Sequence, residues 1–337
     1  MELRAEPVRL RFSAPVHTAG GDFAERELVG VTLAAGDGIT GIGEAAPLEP
    51  YDGVSIAAVT EALEGCREVL GEFEADAPRD EALKACRTLK PPPQALAAVD
   101  LALWDREGKR AGVPVAALLS GEPACDVPVN ATLGAGAPAS AAVALAEGGF
   151  GCLKLKVGLG GERAHVGAIR SALGGDVALR LDANGAWSEQ EAVALLADLA
   201  PLGLELCEEP VHGVEALRRV RAALGGAVPL AMDETTAERA AIESGATELV
   251  CLKIAASGGI TGLLADAAAA WAVGTEPYVA STWDGPAGIA AGLHAAAALG
   301  ITRPCGLATL GAFDIPDPFP PRNGRIAVPG GPGLGLG

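Results

Sequence analysis

The sequence predicts an α/β fold, a (β/α)₈ barrel of the modified TIM type carrying an N-terminal α+β unit. Three observations predict it. From Asp126 onward, short apolar strands alternate with helices, which argues for a parallel sheet with helical crossovers. Eight such strands fit into roughly 180 residues, a length that suits a closed barrel with short loops. Charged side chains recur near the C-terminal ends of those strands, although parallel barrel strands are otherwise buried and apolar. An open doubly wound sheet is the alternative for the strand pattern alone.

The N-terminal stretch reads differently. Val8–Phe12 and Arg26–Leu33 alternate like strands, and Asp37-Gly38 marks a tight turn into a third strand, Thr40–Glu44. After Asp52-Gly53 the pattern becomes helical over Val54–Leu70 and Asp80–Leu89. Pro91, Pro92 and Pro93 punctuate the chain and can open the next helix. That helix, Gln94–Gly108, carries an apolar stripe at Leu96, Val99, Leu103 and Trp104. The barrel strands follow as Val127–Leu133, Cys152–Val157, Val177–Asp182, Leu204–Glu208, Pro229–Asp233, Leu249–Lys253, Pro277–Ser281 and, least regular, Cys305–Leu307. Helices fall between them at Glu189–Leu199, Val214–Leu224 and Thr261–Ala272. The expected organisation is an α+β unit over 1–125, a barrel over 126–310, and a C-terminal segment over 311–337 that returns to the first unit.

Composition narrows the function classes. The chain has 337 residues, half of them apolar, so a large core is available despite 46 Gly and 24 Pro. The net charge of −18 and the lack of any Lys/Arg cluster beyond Arg218, Arg219 and Arg221 argue against a nucleic-acid partner. Seven cysteines without a C-x-x-C pair are expected to be reduced, buried thiols in a cytoplasmic protein. The N-terminus shows no apolar signal region. The longest apolar stretch, Ala287–Gly300, is too short and too rich in Gly and Ala to span a membrane.

The strand ends carry the chemistry. Lys156, Asp182, Glu208, Asp233 and Lys253 are separated by 26, 26, 25 and 20 residues, each about one βα unit. They therefore return to the same end of successive strands, where barrel enzymes place their sites. Lys154 and Lys156 share one face of their strand by the period of two. Mutual repulsion and burial are both expected to lower a lysine pKa towards that of a useful base. Asp182, Glu208 and Asp233 converge from adjacent strands and need a positive partner. An all-oxygen ligand set points to a hard cation, Mg²⁺ before Mn²⁺ or Ca²⁺. Lys253 would face Lys156 across the mouth, with a substrate carboxylate between them. Asn184 and Glu209 read as loop groups or hydrogen-bonding neighbours of the ligands, and Glu234 as a hydrogen-bonding neighbour of a lysine. A single buried Lys–Asp pair is usually a structural ion pair, but five such positions at consecutive strand ends are not explained that way.

These residues resemble the enolase superfamily, in particular its muconate lactonizing enzyme subgroup. The resemblance lies in Lys154-Leu155-Lys156, Asp182-Ala183-Asn184, Glu208-Glu209-Pro210, Asp233-Glu234, and Lys253 followed by Ser257-Gly258-Gly259. Weaker echoes are Gly43-Glu44, Leu101-Ala102-Leu103-Trp104-Asp105 and Pro332-Gly333-Leu334-Gly335. The resemblance implies that Asp182, Glu208 and Asp233 bind Mg²⁺. It implies Lys156 as the base on one face of the substrate, tuned by Lys154, and Lys253 as acid/base or cationic stabiliser on the other. It implies abstraction of the proton next to a carboxylate, through an enediolate stabilised by the metal. It also implies that the N-terminal unit caps the barrel, with His17–Phe23 and the segment near Tyr51 reading the substrate. Members of this family often form homo-oligomers, and no interface is legible in this sequence.

The subgroup diverges after the shared step. A dehydration of the o-succinylbenzoate synthase kind ranks first, on Asp182–Trp187 and Cys305–Leu310. Dipeptide epimerase or N-acylamino acid racemase ranks second, on Lys253–Ile260. Dipeptide epimerases often carry an Asp-x-Asp motif at strand 8, which Cys305-Gly306-Leu307-Ala308-Thr309 lacks. A muconate-type cycloisomerase ranks third. Ser281 and Trp283 stand at the end of strand 7, where the indole either shapes the pocket edge or caps the rim. Two other classes compete. A non-catalytic metal-stabilised barrel has no need of lysines on both faces. A dinucleotide-binding fold would rest on Gly158-Leu159-Gly160-Gly161, which lacks the third spaced glycine.

Overall fold

The computed structural model describes residues 1–18, 21–238 and 240–336, and the side chains of residues 15–22 lie outside that description. Most of the stretch His17–Phe23, expected to face the substrate, falls there. The N-terminal sheet has three antiparallel strands in the order β1 (Glu2–Thr18), β2 (Gly21–Ala34) and β3 (Thr40–Ala45). The first two run well past the alternating stretches, because backbone pairing continues from Glu2↔Ala34 to Thr18↔Gly21 across a register break between Arg11 and Val16. The turn at Asp37-Gly38 is as expected, with Gly38 at φ 77° and its amide donating to the Ala35 carbonyl at 3.1 Å.

Helices α1 (Glu49–Asp52), α2 (Ile56–Gly71), α3 (Arg79–Thr88), α4 (Pro93–Ala111) and α5 (Val115–Leu119) follow. Ser55 caps α2 by accepting from the Ala58 amide at 3.2 Å, and Pro93 stands in the first turn of α4. Leu3, Val29, Val31 and Leu33 of the sheet pack against Val59, Leu63, Leu83 and Val99 of the helices, giving this unit its own core.

The chain then builds β4 (Asp126–Pro128), β5 (Ala131–Leu133), α6 (Ala139–Glu147), β6 (Cys152–Lys156), α7 (Glu162–Leu173) and β7 (Ala178–Asp182). It continues with α8 (Glu189–Leu199), β8 (Leu204–Glu208), α9 (Val214–Leu224), β9 (Leu230–Met232), β10 (Leu249–Lys253) and α10 (Ile254–Ser257). The last elements are α11 (Ile260–Ala272), β11 (Glu276–Ala280), α12 (Pro286–Ala298) and β12 (Arg325–Ala327). Strands β5 to β11 form one parallel sheet in sequence order. A capping box between Ser188 and Glu191 starts α8.

Two expected strands differ. Val127–Leu133 is split: β4 leaves the barrel sheet and pairs antiparallel with β12. Cys305–Leu307 is not a strand but two parallel bridges, Val129↔Cys305 and Ala280↔Gly306. Those bridges still close the ring, with Cys305 N donating to Pro128 O at 2.7 Å and Gly306 N to Val279 O at 2.8 Å. Pro128 and Pro304 have no amide to donate, and Gly306 has no side chain to pack, so longer pairing fails here.

The weak sequence echoes meet on α4. Gly41 and Gly43 lie directly on its backbone; a Cβ there would come within 1.9 Å of the Ala102 carbonyl and 2.0 Å of the Ala98 carbonyl. Asp105 accepts from Ile42 N at 2.8 Å and Leu334 N at 2.7 Å, which ties the C-terminal segment to the N-terminal sheet. Asp100, whose carboxyl burial pushes up to about 6, accepts from the Thr261 amide at 3.0 Å and hydroxyl at 2.6 Å. Gly259 at φ 102° leaves room for that carboxylate. Helix α4 thereby fixes the start of α11, just beyond the strand that ends in Lys253. All seven cysteines are unpaired; six are buried, but Cys125 is exposed, contrary to expectation. Among the described residues no helix is long and apolar enough to cross a membrane.

Candidate active site

Strand register brings the predicted side chains to one end of the barrel. Lys156, Asp182 and Glu208 are direct register neighbours on β6, β7 and β8. Asp233 follows β9, and Lys253 ends β10. In sheet order β6 and β10 are four strands apart, which in an eight-stave ring places the Lys154/Lys156 pair opposite Lys253.

The lysines hold the carboxylates. Lys154 Nζ lies 2.9 Å from Asp182 Oδ2 and 3.0 Å from Glu208 Oε1. Lys156 Nζ donates to Asp182 Oδ2 at 2.6 Å and to Asn184 Oδ1 at 2.8 Å. Lys253 Nζ pairs with Asp233 Oδ1 and donates to the Tyr51 hydroxyl at 2.6 Å. Asp182 and Glu208 are fully buried, and Asp233 and Lys253 nearly so. One atom each from Glu208, Asp233 and Cys251 lies within 4.8 Å of the others, whereas Lys154 stands between Asp182 and Glu208.

The expected lowering of a lysine pKa does not hold for Lys154, and Lys253 shifts in the same upward direction. Burial alone would lower both, but neighbouring carboxylates outweigh it. Asp182 and Glu208 raise Lys154, and Asp233 raises Lys253 above the ordinary range. Conversely, burial would raise Asp182, yet Lys154 and Lys156 bring it below the usual carboxylate range. Burial prevails at Glu208, whose carboxyl is raised.

The neighbouring groups have defined tasks. Asn184, at φ 44°, links Lys156 to Glu234, donating from Nδ2 to Glu234 Oε1 at 2.7 Å. Glu234 therefore accepts from an amide, and Lys253 acts on it through its charge without a hydrogen bond; its Oε2 is buried without a partner. Glu209, at φ 39°, accepts from Asp233 N at 2.7 Å and Thr235 N at 3.1 Å, and pairs with His212 Nδ1 at 3.1 Å. It thus sets the backbone that aims Asp233. Ser281 Oγ pairs with Thr309 Oγ1 at 3.0 Å. Trp283, at φ 59°, packs edge-on against Phe12 at 5.2 Å, and Phe12 stacks on Phe313 at 4.6 Å. The indole joins β1, the loop after β11 and the C-terminal segment.

Sequence reasoning missed Tyr278, whose hydroxyl donates to Glu208 Oε2 at 2.7 Å. Its signal was the period of two along β11, which turns Tyr278 and Ala280 to the same face. Also missed was the buried group joining the N-terminal sheet to the mouth. There Arg26 donates to the Thr282 carbonyl at 3.2 Å and Glu44 accepts from Gly285 N at 2.7 Å beside Asp284.

The donor set fits a hard divalent cation. Asp182, Glu208, Glu209 and Asp233 are buried together with the half-buried Glu234, against the three ammonium groups of Lys154, Lys156 and Lys253. That negative excess, and the unpartnered Glu234 oxygen, suit an oxygen-ligated cation.

Fold and site together define a parallel-barrel protein whose mouth sets opposed amines around buried carboxylates. Comparison with known proteins makes this specific. Residues 1–120 match the family described as Mandelate racemase / muconate lactonizing enzyme, N-terminal domain, and residues 137–337 match Enolase C-terminal domain-like. Muconate cycloisomerase 1 of Pseudomonas putida is 30% identical over 332 residues, covering 92% of this chain and 87% of that one. The o-succinylbenzoate synthase of Mycobacterium tuberculosis is 39% identical over 216 residues, 60% of this chain; the chain spans 64% of that relative's length. A dipeptide epimerase from Enterococcus faecalis, crystallised with Mg and the dipeptide L-Leu-L-Tyr, superimposes with a TM-score of 0.90. It is 26% identical, over 99% of this chain and 98% of that one. The chain belongs to the muconate lactonizing enzyme subgroup of the enolase superfamily.

Proposed function

We propose that this protein is a Mg²⁺-dependent enzyme that removes the proton next to a substrate carboxylate, and that its reaction is a dehydration of the o-succinylbenzoate synthase kind. One observation carries the reading: Lys156 and Lys253 stand on opposite sides of a row of buried carboxylates. Asp182, Glu208 and Asp233 would hold the cation, which when bound offsets the negative charge that develops on the substrate carboxylate. Glu209 fixes the backbone of Asp233, and Asn184 fixes the direction of Lys156. Lys156, once its amine is unprotonated, accepts the proton from the carbon next to the carboxylate. The C–H electron pair becomes a C=C bond as the C–O bond to the hydroxyl on the neighbouring carbon breaks; the Lys156 ammonium returns its proton to that oxygen, which leaves as water, and the amine is restored. Lys253 stays an ammonium and faces the developing charge from the other side.

The 39% identity to an o-succinylbenzoate synthase supports dehydration over the alternatives. A second reading, dipeptide epimerisation, is favoured by the closeness of the whole fold to the Enterococcus epimerase. It is weakened by residues 305–310, which offer no carboxylate for a dipeptide's ammonium group. The muconate-type cycloisomerisation has the P. putida relative in its favour. The test incubates the protein with Mg²⁺ in D₂O and three substrate sets: the hydroxylated precursor of o-succinylbenzoate, a dipeptide panel and N-acyl amino acids. Formation of o-succinylbenzoate with loss of water is expected. Deuterium at the α-carbon of dipeptides or N-acyl amino acids alone would replace dehydration by epimerisation. No exchange with any of them would leave the muconate-type cycloisomerase and the non-catalytic barrel, which turnover of a muconolactone with Mg²⁺ would separate.

A further inference from the structure

The chain contains two tyrosines, and both place their hydroxyl on a candidate metal carboxylate. Tyr51 reaches in from α1 and donates to Asp233 Oδ1 at 3.0 Å. Tyr278 lies in the barrel wall on β11 and donates to Glu208 Oε2 at 2.7 Å. Strands β11 and β8 are three places apart, so this phenol crosses the barrel interior to reach its partner.

The surroundings of Tyr278 make that bond directional. Its side chain is 1% exposed and Glu208 is fully buried, so bulk water does not compete for either group. The Arg180 guanidinium lies 5.1 Å from the ring and is itself held by Glu205 at 2.7 and 3.0 Å, which fixes the ring from below. Glu208 then has Lys154 on one oxygen and Tyr278 on the other. Lysine is a flexible point charge, whereas a phenol on a packed ring is a fixed donor. A carboxylate anchored by a fixed donor presents its remaining lone pairs in one direction.

We infer that Tyr278 is a positioning residue for the metal site, a hydroxyl from the barrel wall that fixes the Glu208 carboxylate for Mg²⁺. This rests on the reading of Glu208 as a ligand. If the ring merely filled the barrel, phenylalanine would replace it at no cost to metal binding.

The test titrates Mg²⁺ by calorimetry into the full chain and its E208Q, Y278F and Y51F variants. Tyrosine ¹³Cζ spectra are followed in parallel, since each Tyr→Phe change removes one of two resonances. E208Q is expected to weaken Mg²⁺ binding at least tenfold, and Y278F about tenfold, in a protein that still folds although a buried Glu208 oxygen has lost its donor. The Tyr278 resonance is expected to shift on Mg²⁺ saturation, in the parent and in Y51F alike. If E208Q binds Mg²⁺ as the parent does, the ligand reading fails and this inference with it. If E208Q weakens binding while folded Y278F binds normally, the inference alone is overturned. Should Y278F not fold, a Tyr278 resonance that ignores Mg²⁺ in the parent overturns it.

Discussion

Two layers of charge are built into this barrel, the lower one running from buried Arg180 out to exposed Glu276, and they are built differently. Below the mouth, Arg180 holds Glu205 with two nitrogens at 2.7 and 3.0 Å and reaches the Pro304 carbonyl at 2.6 Å. Arg303 pairs with Glu276 through two nitrogens at 2.9 and 2.6 Å and with Glu205 at 2.6 Å. Each guanidinium there is saturated by a fork of acceptors. At the mouth the cations are lysines, one oxygen of Asp182 serves two of them, and a Glu234 oxygen has no partner. A guanidinium cannot give up its proton and fixes geometry; an amine can lose its proton and move. The lower layer is therefore a structural joint, and the upper one is left incomplete, as the cation and substrate site proposed above requires.

The largest effects should separate the layers. Lys156→Ala is expected to lower turnover about 10³-fold. Its cost in stability should be small, because Lys154 still pairs with Asp182. Steady-state rates and urea unfolding on one preparation check both halves, and retained turnover removes Lys156 as the base. Arg180→Met should do the reverse below, costing about 3 kcal/mol of stability by stranding part of a buried pair. That is the lower end of the usual range, since Arg303 still reaches Glu205. An unfolding midpoint equal to the parent's would end the description of this layer as a joint.

A somewhat smaller effect should come from the cation itself. Mg²⁺ at a hundred times its dissociation constant should stabilise the parent by about 2.7 kcal/mol. Asp182→Asn should reduce that gain, and Arg180→Met should leave it intact. Thermal unfolding with and without Mg²⁺ reads this. An equal gain in Asp182→Asn would mean that the upper layer does not hold the ion.

The contrast was only half legible in the sequence. The upper layer was visible because its residues fall one per strand end, at intervals that βα units impose. The lower layer was not, for a local reason. Between Leu179↔Leu204 and Arg180↔Leu206 the pairing of β7 and β8 slips by one residue, and the extra residue is Glu205. A bulge of this kind re-aims a side chain, so alternation counted along the strand does not place Glu205 beside Arg180. Tyr278 and Tyr51 were missed as partners because hydroxyl contacts across three strands, or between two units, leave no spacing pattern. The short eighth stave was overread because apolar residues at Cys305 and Leu307 look like a strand until Pro304 and Gly306 are weighed. The direction of the Lys154 shift was mistaken because repulsion between two lysines was counted without the carboxylates facing them.

The smallest effect concerns the cluster between the layers and the N-terminal sheet. Glu44 is buried beside Asp284 at the start of α12, with Arg26 near both. Burial, helped by the Asp284 charge, pushes its carboxyl up to about 7 from an ordinary 4.5. Between those values the folded chain binds a proton that the unfolded chain has lost, so stability falls as pH rises from about 4.5 to about 7. His294 works in the opposite sense, since burial lowers it to about 4, and its contribution grows as pH rises from there to 6.5. The two overlap in the parent, so the informative quantity is the difference between the parent and Glu44→Gln. The His294 contribution cancels in that difference, and the glutamine carbonyl can still accept from Gly285 N. The parent is expected to lose on the order of 1–2 kcal/mol relative to Glu44→Gln across this window. Urea unfolding of both proteins at half-unit pH steps measures it. A difference flat with pH would mean that Glu44 is as fully satisfied as Glu205, and that this cluster belongs with the saturated layer and not with the incomplete one.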